Sequence, residues 1–63
     1  MKYYAKNIYY INGTTSHRTS EAACKAANRR EGDGWIVIDS DGNQWALDWN
    51  GVAHVIEYAQ EAK

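Results

Sequence analysis

Sixty-three residues with a net charge of −1 and a single cysteine, Cys24, admit one domain. They exclude an internal disulfide and any zinc site built on paired cysteines. A chain this short buries only about 60% of the surface it exposes unfolded, and with no Phe and one Met its core must draw on three Trp and five Tyr. The small net charge conceals two unlike halves: residues 1–30 carry six basic side chains against one acidic, a net +5, and residues 31–63 one against seven, a net −6. The halves either pair with each other in the fold or present a charged face that steers a partner.

Tyr3 to Ile11, "YYAKNIYYI", has the Tyr and Ile content of a strand. Only its even positions carry a charge, so the odd set, Tyr3, Ala5, Asn7, Tyr9 and Ile11, is placed inward. Asn12 to Ser20 is a polar loop of turn and capping residues. Thr19 or Ser20 then caps a helix running from Glu21 to about Arg30. Glu21, Lys25 and Arg29 lie four apart on its solvent side, and Ala22, Ala23, Ala26 and Ala27 form the inner face. "EGDG" breaks the helix.

"WIVIDSDGNQWALDW", Trp35 to Trp49, reads as a hairpin about a two-residue type I′ turn at Asp41-Gly42. That register pairs Ile38 with Trp45, Val37 with Ala46, Ile36 with Leu47 and Trp35 with Asp48. Ile36, Ile38, Trp45, Leu47 and Trp49 then share the core face, and Trp35, Val37, Asp39, Gln44, Ala46 and Asp48 share the other. In the tail, Val52, Val55, Ile56 and Ala59 fall on one helical stripe. The same residues also read as a strand after a second hairpin turn at Asn50-Gly51, and the helix is preferred. No internal repeat is apparent. The expected fold is a single α+β domain over residues 1–63: a two-layer, three-stranded antiparallel sheet in β-α-β-β-α order, the alternative being a fourth strand last.

Chemistry-bearing motifs are sparse. Asp39, Asp41 and Asn43 sit at positions 1, 3 and 5 of a calcium loop, but position 6 is Gln44 and position 12 is Asn50. Turn chemistry accounts for them, and no metal is expected. Ser16 and His17 have no Asp placed to orient the imidazole. Cys24 among alanines reads as a small buried residue, and His54 with Glu57 as a solvated surface. No catalytic residue and no cofactor is expected, and the chain does not read as an enzyme. The N-terminal stretch lacks the apolar segment of a signal peptide. No apolar run approaches the roughly 18 residues of a membrane span, so a cytoplasmic location is expected.

The informative surface is the outer sheet face, where these parities place Tyr4, Lys6, Ile8, Tyr10, Trp35, Val37 and Ala46. Aromatics with lysine can stack bases and hold phosphates, and exposed Tyr and Trp equally anchor protein interfaces. A second helix or a second subunit would cover the same face. The acidic half opposes nucleic acid as the main ligand. The expected contact residues are Tyr4, Lys6, Tyr10 and Trp35, with Arg29 and Arg30 steering by charge.

The order of a strand, a "TS"-capped alanine-rich helix and a "DG" hairpin ending in tryptophan resembles small phage-encoded proteins of the anti-CRISPR type. The similarity is architectural, spans most of the chain and includes no diagnostic motif. It implies a compact inhibitor that occupies the surface of a host complex, often a nucleic-acid-binding one, in a bacterial cytoplasm. The function expected is therefore a protein-interaction module that sterically blocks a host defence protein or nucleoprotein complex. A nucleic-acid-binding regulator using the basic half is the alternative, and a homodimer through the exposed sheet is the third reading.

Overall fold

The computed structural model describes residues 1–59, and the last four residues, on which the helical reading of the tail leaned, lie outside them. Strands β1 (Tyr3–Asn7), β2 (Thr15–His17), β3 (Trp35–Asp39), β4 (Gln44–Leu47) and β5 (Ala53–Glu57) and one helix, α1 (Ser20–Asn28), make an α+β fold. The sheet is antiparallel throughout, in the order β2-β1-β3-β4-β5. β2 and β3 both run antiparallel to β1, so they are parallel to each other. α1 is the crossover between them, a β-α-β unit split by β1. The expected three-stranded sheet is thus five-stranded. The tail forms a strand rather than a helix, and the loop expected over Asn12 to Ser20 contributes β2.

β1 ends at Asn7 instead of continuing to Ile11. The buried Asn7 side chain accepts from Tyr9 N–H (2.8 Å) and donates to the Asp33 carbonyl (3.0 Å). This local alternative to ladder pairing turns the chain away. α1 begins where capping chemistry puts it: Thr19 Oγ1 accepts from Ala22 N–H (3.2 Å), Glu21 lies in the first turn, and Arg29 is the C-cap. Its buried face is Ser20, Ala23, Cys24 and Ala27, one helical stripe, while Ala22 is exposed.

The β3–β4 connection departs most from expectation. Asp39 N–H donates to Asn43 O (2.9 Å) and Gly42 N–H to Asp39 O (3.0 Å). Gly42 takes φ +90°, and among the described residues no non-glycine residue has positive φ. Since a type I′ turn needs positive φ at both central residues, Asp41 rules it out. The geometry is a three-residue loop, a type I turn closed by a left-handed glycine. The added residue slips the register by one, so Val37 pairs with Trp45 and Ile38 with Gln44. The slip exchanges the faces of β3. Val37 and Asp39 are buried, Trp35 packs against the core, and Ile36 and Ile38 lie on the opposite face. Trp49, expected in the core, projects fully exposed from the β4–β5 turn.

That second turn repeats the first nine residues later. Asp48 N–H donates to Val52 O (2.9 Å), Gly51 N–H to Asp48 O (3.0 Å), and Gly51 has φ +79°. Asp39 Oδ1 accepts from the N–H groups of Asp41 and Asn43, and Asp48 Oδ1 from those of Asn50 and Val52, all at 2.8–2.9 Å. "DSDGN" and "DWNGV" are one turn used twice, so the chain does contain a short internal repeat.

The core under α1 is made of small side chains, Ala5, Ala23, Cys24, Ala27, Val37 and Ala53. Tyr3, Trp35, Trp45 and Leu47 close its rim, with Tyr3 and Trp45 edge-to-face at 5.4 Å. Alanine gives little burial per residue but lets the helix lie close to the sheet. The large aromatics at the rim supply most of the apolar area. Burial, foremost, and the nearby charge of Glu21 raise the Cys24 thiol pKa. A thiol reagent is therefore expected to modify Cys24 slowly in native protein and rapidly in urea. Equal rates in the two conditions, followed by absorbance, would show that the helix does not shield it.

Candidate interaction site

The six expected contact residues divide between the two sides of the sheet. Tyr4 and Lys6 occupy even positions of β1, opposite Ile38 and Ile36, on the face turned away from α1. Trp35 shares the helix side with Val37. Tyr10 and Arg30 join Trp35 there, at the C-terminal end of α1, so the single aromatic face expected from parity does not form. The slipped hairpin register is the cause for Trp35, and the end of β1 at Asn7 is the cause for Tyr10.

Trp35 is the hub of this cluster. Its Nε1–H donates to the Glu31 carbonyl (3.0 Å). The Arg30 guanidinium lies 4.7 Å from the centroid of the indole, and Arg30 Nη2 donates to the Gly13 carbonyl (2.9 Å). Tyr10 meets the indole edge-on, centroids 5.9 Å apart with planes at 89°. A cation–π contact of this kind contributes about 0.5–1 kcal/mol at a solvated site. Together the contacts tie the β1–β2 loop, the end of α1 and the start of β3 into one surface. Arg29 precedes Arg30 as the helix C-cap, its Nε donating to the Lys25 carbonyl at 3.4 Å.

Beside this hub the loop exposes four large side chains in succession, Ile8, Tyr9, Tyr10 and Ile11, the last 89% exposed. Runs of this kind are unfavourable on a surface unless they contact something. Tyr9, Ile11 and Trp49 were not among the expected contact residues, because strand alternation hid the first two and the third was placed in the core by carrying β4 past Leu47, where the structure has a turn. The side-chain turn at Asn7 is the local signal that separates this loop from β1.

Asp39, Asp48, His54 and His17 make side-chain hydrogen bonds within the fold. Asp39 Oδ2 accepts from Trp45 Nε1 (2.9 Å) and Asn43 Nδ2 (3.1 Å), while Oδ1 serves the turn. Burial alone raises its pKa, but hydrogen bonds, that of Trp45 first, outweigh burial and hold the carboxyl below its usual range. His54 Nε2 lies 2.7 Å from Asp48 Oδ2. The hydrogen bond from Val52 N–H, foremost, with those of His54 and Asn50, lowers the Asp48 pKa against a smaller opposing effect of desolvation. The His17 ring meets Thr15 Oγ1 at 2.7 Å. Among the described residues no three His, Cys, Asp or Glu side chains assemble into a metal-binding group. No helix there is long and apolar enough to cross a membrane. A cleft of about 180 Å³ lies between α1 and β3–β4, bordered by Cys24, Asn28 and Trp45, smaller than the roughly 300 Å³ at which ligand pockets begin.

Two features of the charge distribution complete the site. Among the described residues no Lys or Arg pairs with an Asp or Glu, and the His54–Asp48 contact is an ion pair only when the imidazole is protonated. Along the sheet, Lys6 and Arg18 lie at β1–β2 and Asp48 and Glu57 at β4–β5, whereas the Lys2 carbonyl accepts from Ser40 N–H (3.0 Å), beside Asp41. The chain matches no protein-family model, and no curated protein and no solved structure resembles it significantly.

Proposed function

We propose that this protein is a non-enzymatic interaction module whose partner-binding surface is the Ile8–Ile11 loop with Tyr10, Trp35, Arg29 and Arg30. The observation that carries the reading is the run of exposed Ile and Tyr beside an arginine stacked on tryptophan. Aromatic residues and arginine are the side chains most often responsible for binding energy at protein interfaces. The hub orders Tyr10 and Arg30 before any encounter, which lowers the entropy lost on binding. In this reading the mechanism is steric. The loop and its basic flank cover a surface that a host defence protein or nucleoprotein complex needs, as an anti-CRISPR-type inhibitor in a bacterial cytoplasm does.

The test is capture from a bacterial host lysate by the wild-type chain and by a Tyr9→Ala, Ile11→Asp variant. Both substituted side chains are exposed, so the variant is expected to keep its circular dichroism spectrum. Wild type should retain a nucleoprotein complex, and the variant should lose it at least about tenfold, since a central hot spot contributes about 2 kcal/mol or more. Failure to retain such a complex, or equal retention by the variant, defeats the proposal. Direct nucleic-acid binding is the competing reading, favoured by Lys25 and Arg29 one turn apart and exposed on α1. It requires anisotropy-detected binding to DNA or RNA that weakens steeply with salt and disappears in Arg29→Glu, Arg30→Glu.

A further inference from the structure

The side of the sheet away from α1 carries no second layer among the described residues. Register arranges its side chains in two rows. Lys6, Ile36, Ala46 and His54 form one, and Tyr4, Ile38, Gln44 and Glu57 the other. A sheet with an apolar stripe on both faces needs cover on both, and three features of this face specify the cover.

First, its apolar centre is β3, the middle strand of five, where Ile36 and Ile38 lie between Tyr4 on β1 and Ala46 on β4. Second, its formal charges lie toward opposite edges, Lys6 on β1 against Glu57 on β5 and Asp48 at the end of β4. Third, Lys6 and Glu57 have no ion-pair partner among the described residues. A second copy laid face to face meets this pattern in one orientation only. With the two-fold axis across the strands, β1 lies over β1 and Lys6 approaches Lys6. With the axis along β3, the β1 side of each copy lies over the β4–β5 side of the other. Lys6 then faces the edge that carries Asp48 and Glu57, and the isoleucines of both copies meet on the axis. Such self-complementarity is what an isologous contact requires.

We propose that this bare face seats a second copy of the chain, with the two-fold axis along β3 and the two helices outside. Five strands at about 4.8 Å spacing, each of three to five residues, give a face of roughly 24 by 15 Å. A pair of such faces covers roughly 700 Å² in projection, less than the roughly 1,200 Å² at which stable specific interfaces begin, so the contact is weak and the dimer dissociates on dilution. Aligned sheet packing accommodates the contact. The association goes beyond the interaction surface proposed above and leaves it free. Tyr10, Trp35 and Arg30 lie on the helix side, so a dimer presents the cluster twice, on its two outer faces.

Sedimentation equilibrium of the full chain, from micromolar to millimolar concentration at low salt, tests the proposal. The mass is expected to rise from 7.2 kDa toward twice that value. Ile38→Asp should hold the chain monomeric with its circular dichroism unchanged. Lys6→Glu, a milder surface change, should weaken association about tenfold through like-charge opposition, and Lys6→Glu with Glu57→Lys should restore it. Tyr9→Ala, Ile11→Asp should leave the dimer intact, so this idea and the partner-binding surface fail separately. A monomer at millimolar concentration overturns the proposal. So does a dimer indifferent to Ile38→Asp, or one indifferent to both charge variants.

Discussion

Asp39→Ala is expected to remove most of the stability of this domain. Four donors converge on that one buried carboxylate: the backbone N–H groups of Asp41 and Asn43, the Asn43 amide and the Trp45 indole. Losing the acceptor strands a part-buried indole N–H and opens the turn that sets the β3–β4 register. Each orphaned buried donor costs about 1–3 kcal/mol, and the sum here is about 3 kcal/mol or more. A chain of this length has about 3–9 kcal/mol in total. Asp39→Asn should fall between, because one amide oxygen still serves the turn while its NH₂ opposes Trp45 or Asn43. Urea unfolding followed by tryptophan fluorescence measures both. Asp48→Ala is the internal control, the same turn in an exposed setting, and should lose less. An equal loss at the two positions would mean that the buried indole contact contributes nothing.

The same carboxylate predicts an acid limb. Its folded pKa lies below its unfolded value because the hydrogen bonds outweigh burial. Its contribution is therefore fully present above the unfolded pKa of about 3.9. It is lost as pH falls through the lower folded value. Wild type should lose stability on acidification below about pH 4 more steeply than Asp39→Asn. Parallel curves would contradict the assignment.

Trp35→Ala is expected to cost about 2–4 kcal/mol, near the lower part of the range for buried tryptophan because this ring is only half-buried. The physical reason lies in the helix, which offers alanines to the core and leaves the rim to aromatics. Removing the indole also releases Arg30 and Tyr10 from their contacts. Trp35→Phe keeps a ring for both neighbours and loses the hydrogen bond to Glu31, so about 1 kcal/mol is expected. The binding consequence is separable from stability. At a temperature where both variants are folded, Trp35→Ala should weaken partner capture and Trp35→Phe should retain most of it. The reverse order would remove Trp35 from the proposed surface.

Much of the local structure was legible because its causes are local. The Thr19 cap, the first-turn Glu21 and a run of alanines specify α1 without help from the rest of the chain. Asp-Gly and Asn-Gly mark both bends, and odd positions of β1 face the helix as expected. β2 was missed because three polar residues at a sheet edge gain their conformation from pairing with β1 and have no apolar alternation of their own. The tail was misjudged for a related reason. Val52, Val55 and Ile56 satisfy a helical stripe and a strand equally, and the exposed edge of β4 selects the strand.

The site residues divide on the same principle. Capping, turn and charge-segregation signals are short-range or compositional, and by itself the sequence determined the helix, the position of the first bend, the α+β class and the +5 and −6 halves. Which tryptophan packs inside depends on one residue of register. That register is set by Asp39, whose carboxylate finds Trp45 only once the two strands are paired. The tertiary structure therefore decided that Trp35 packs against the core, that Tyr10 and Arg30 meet on it, and that the face behind β3 stays bare. The physical reason is the two-residue period of a strand: a one-residue slip leaves every local preference satisfied and moves every side chain of β3 to the other side.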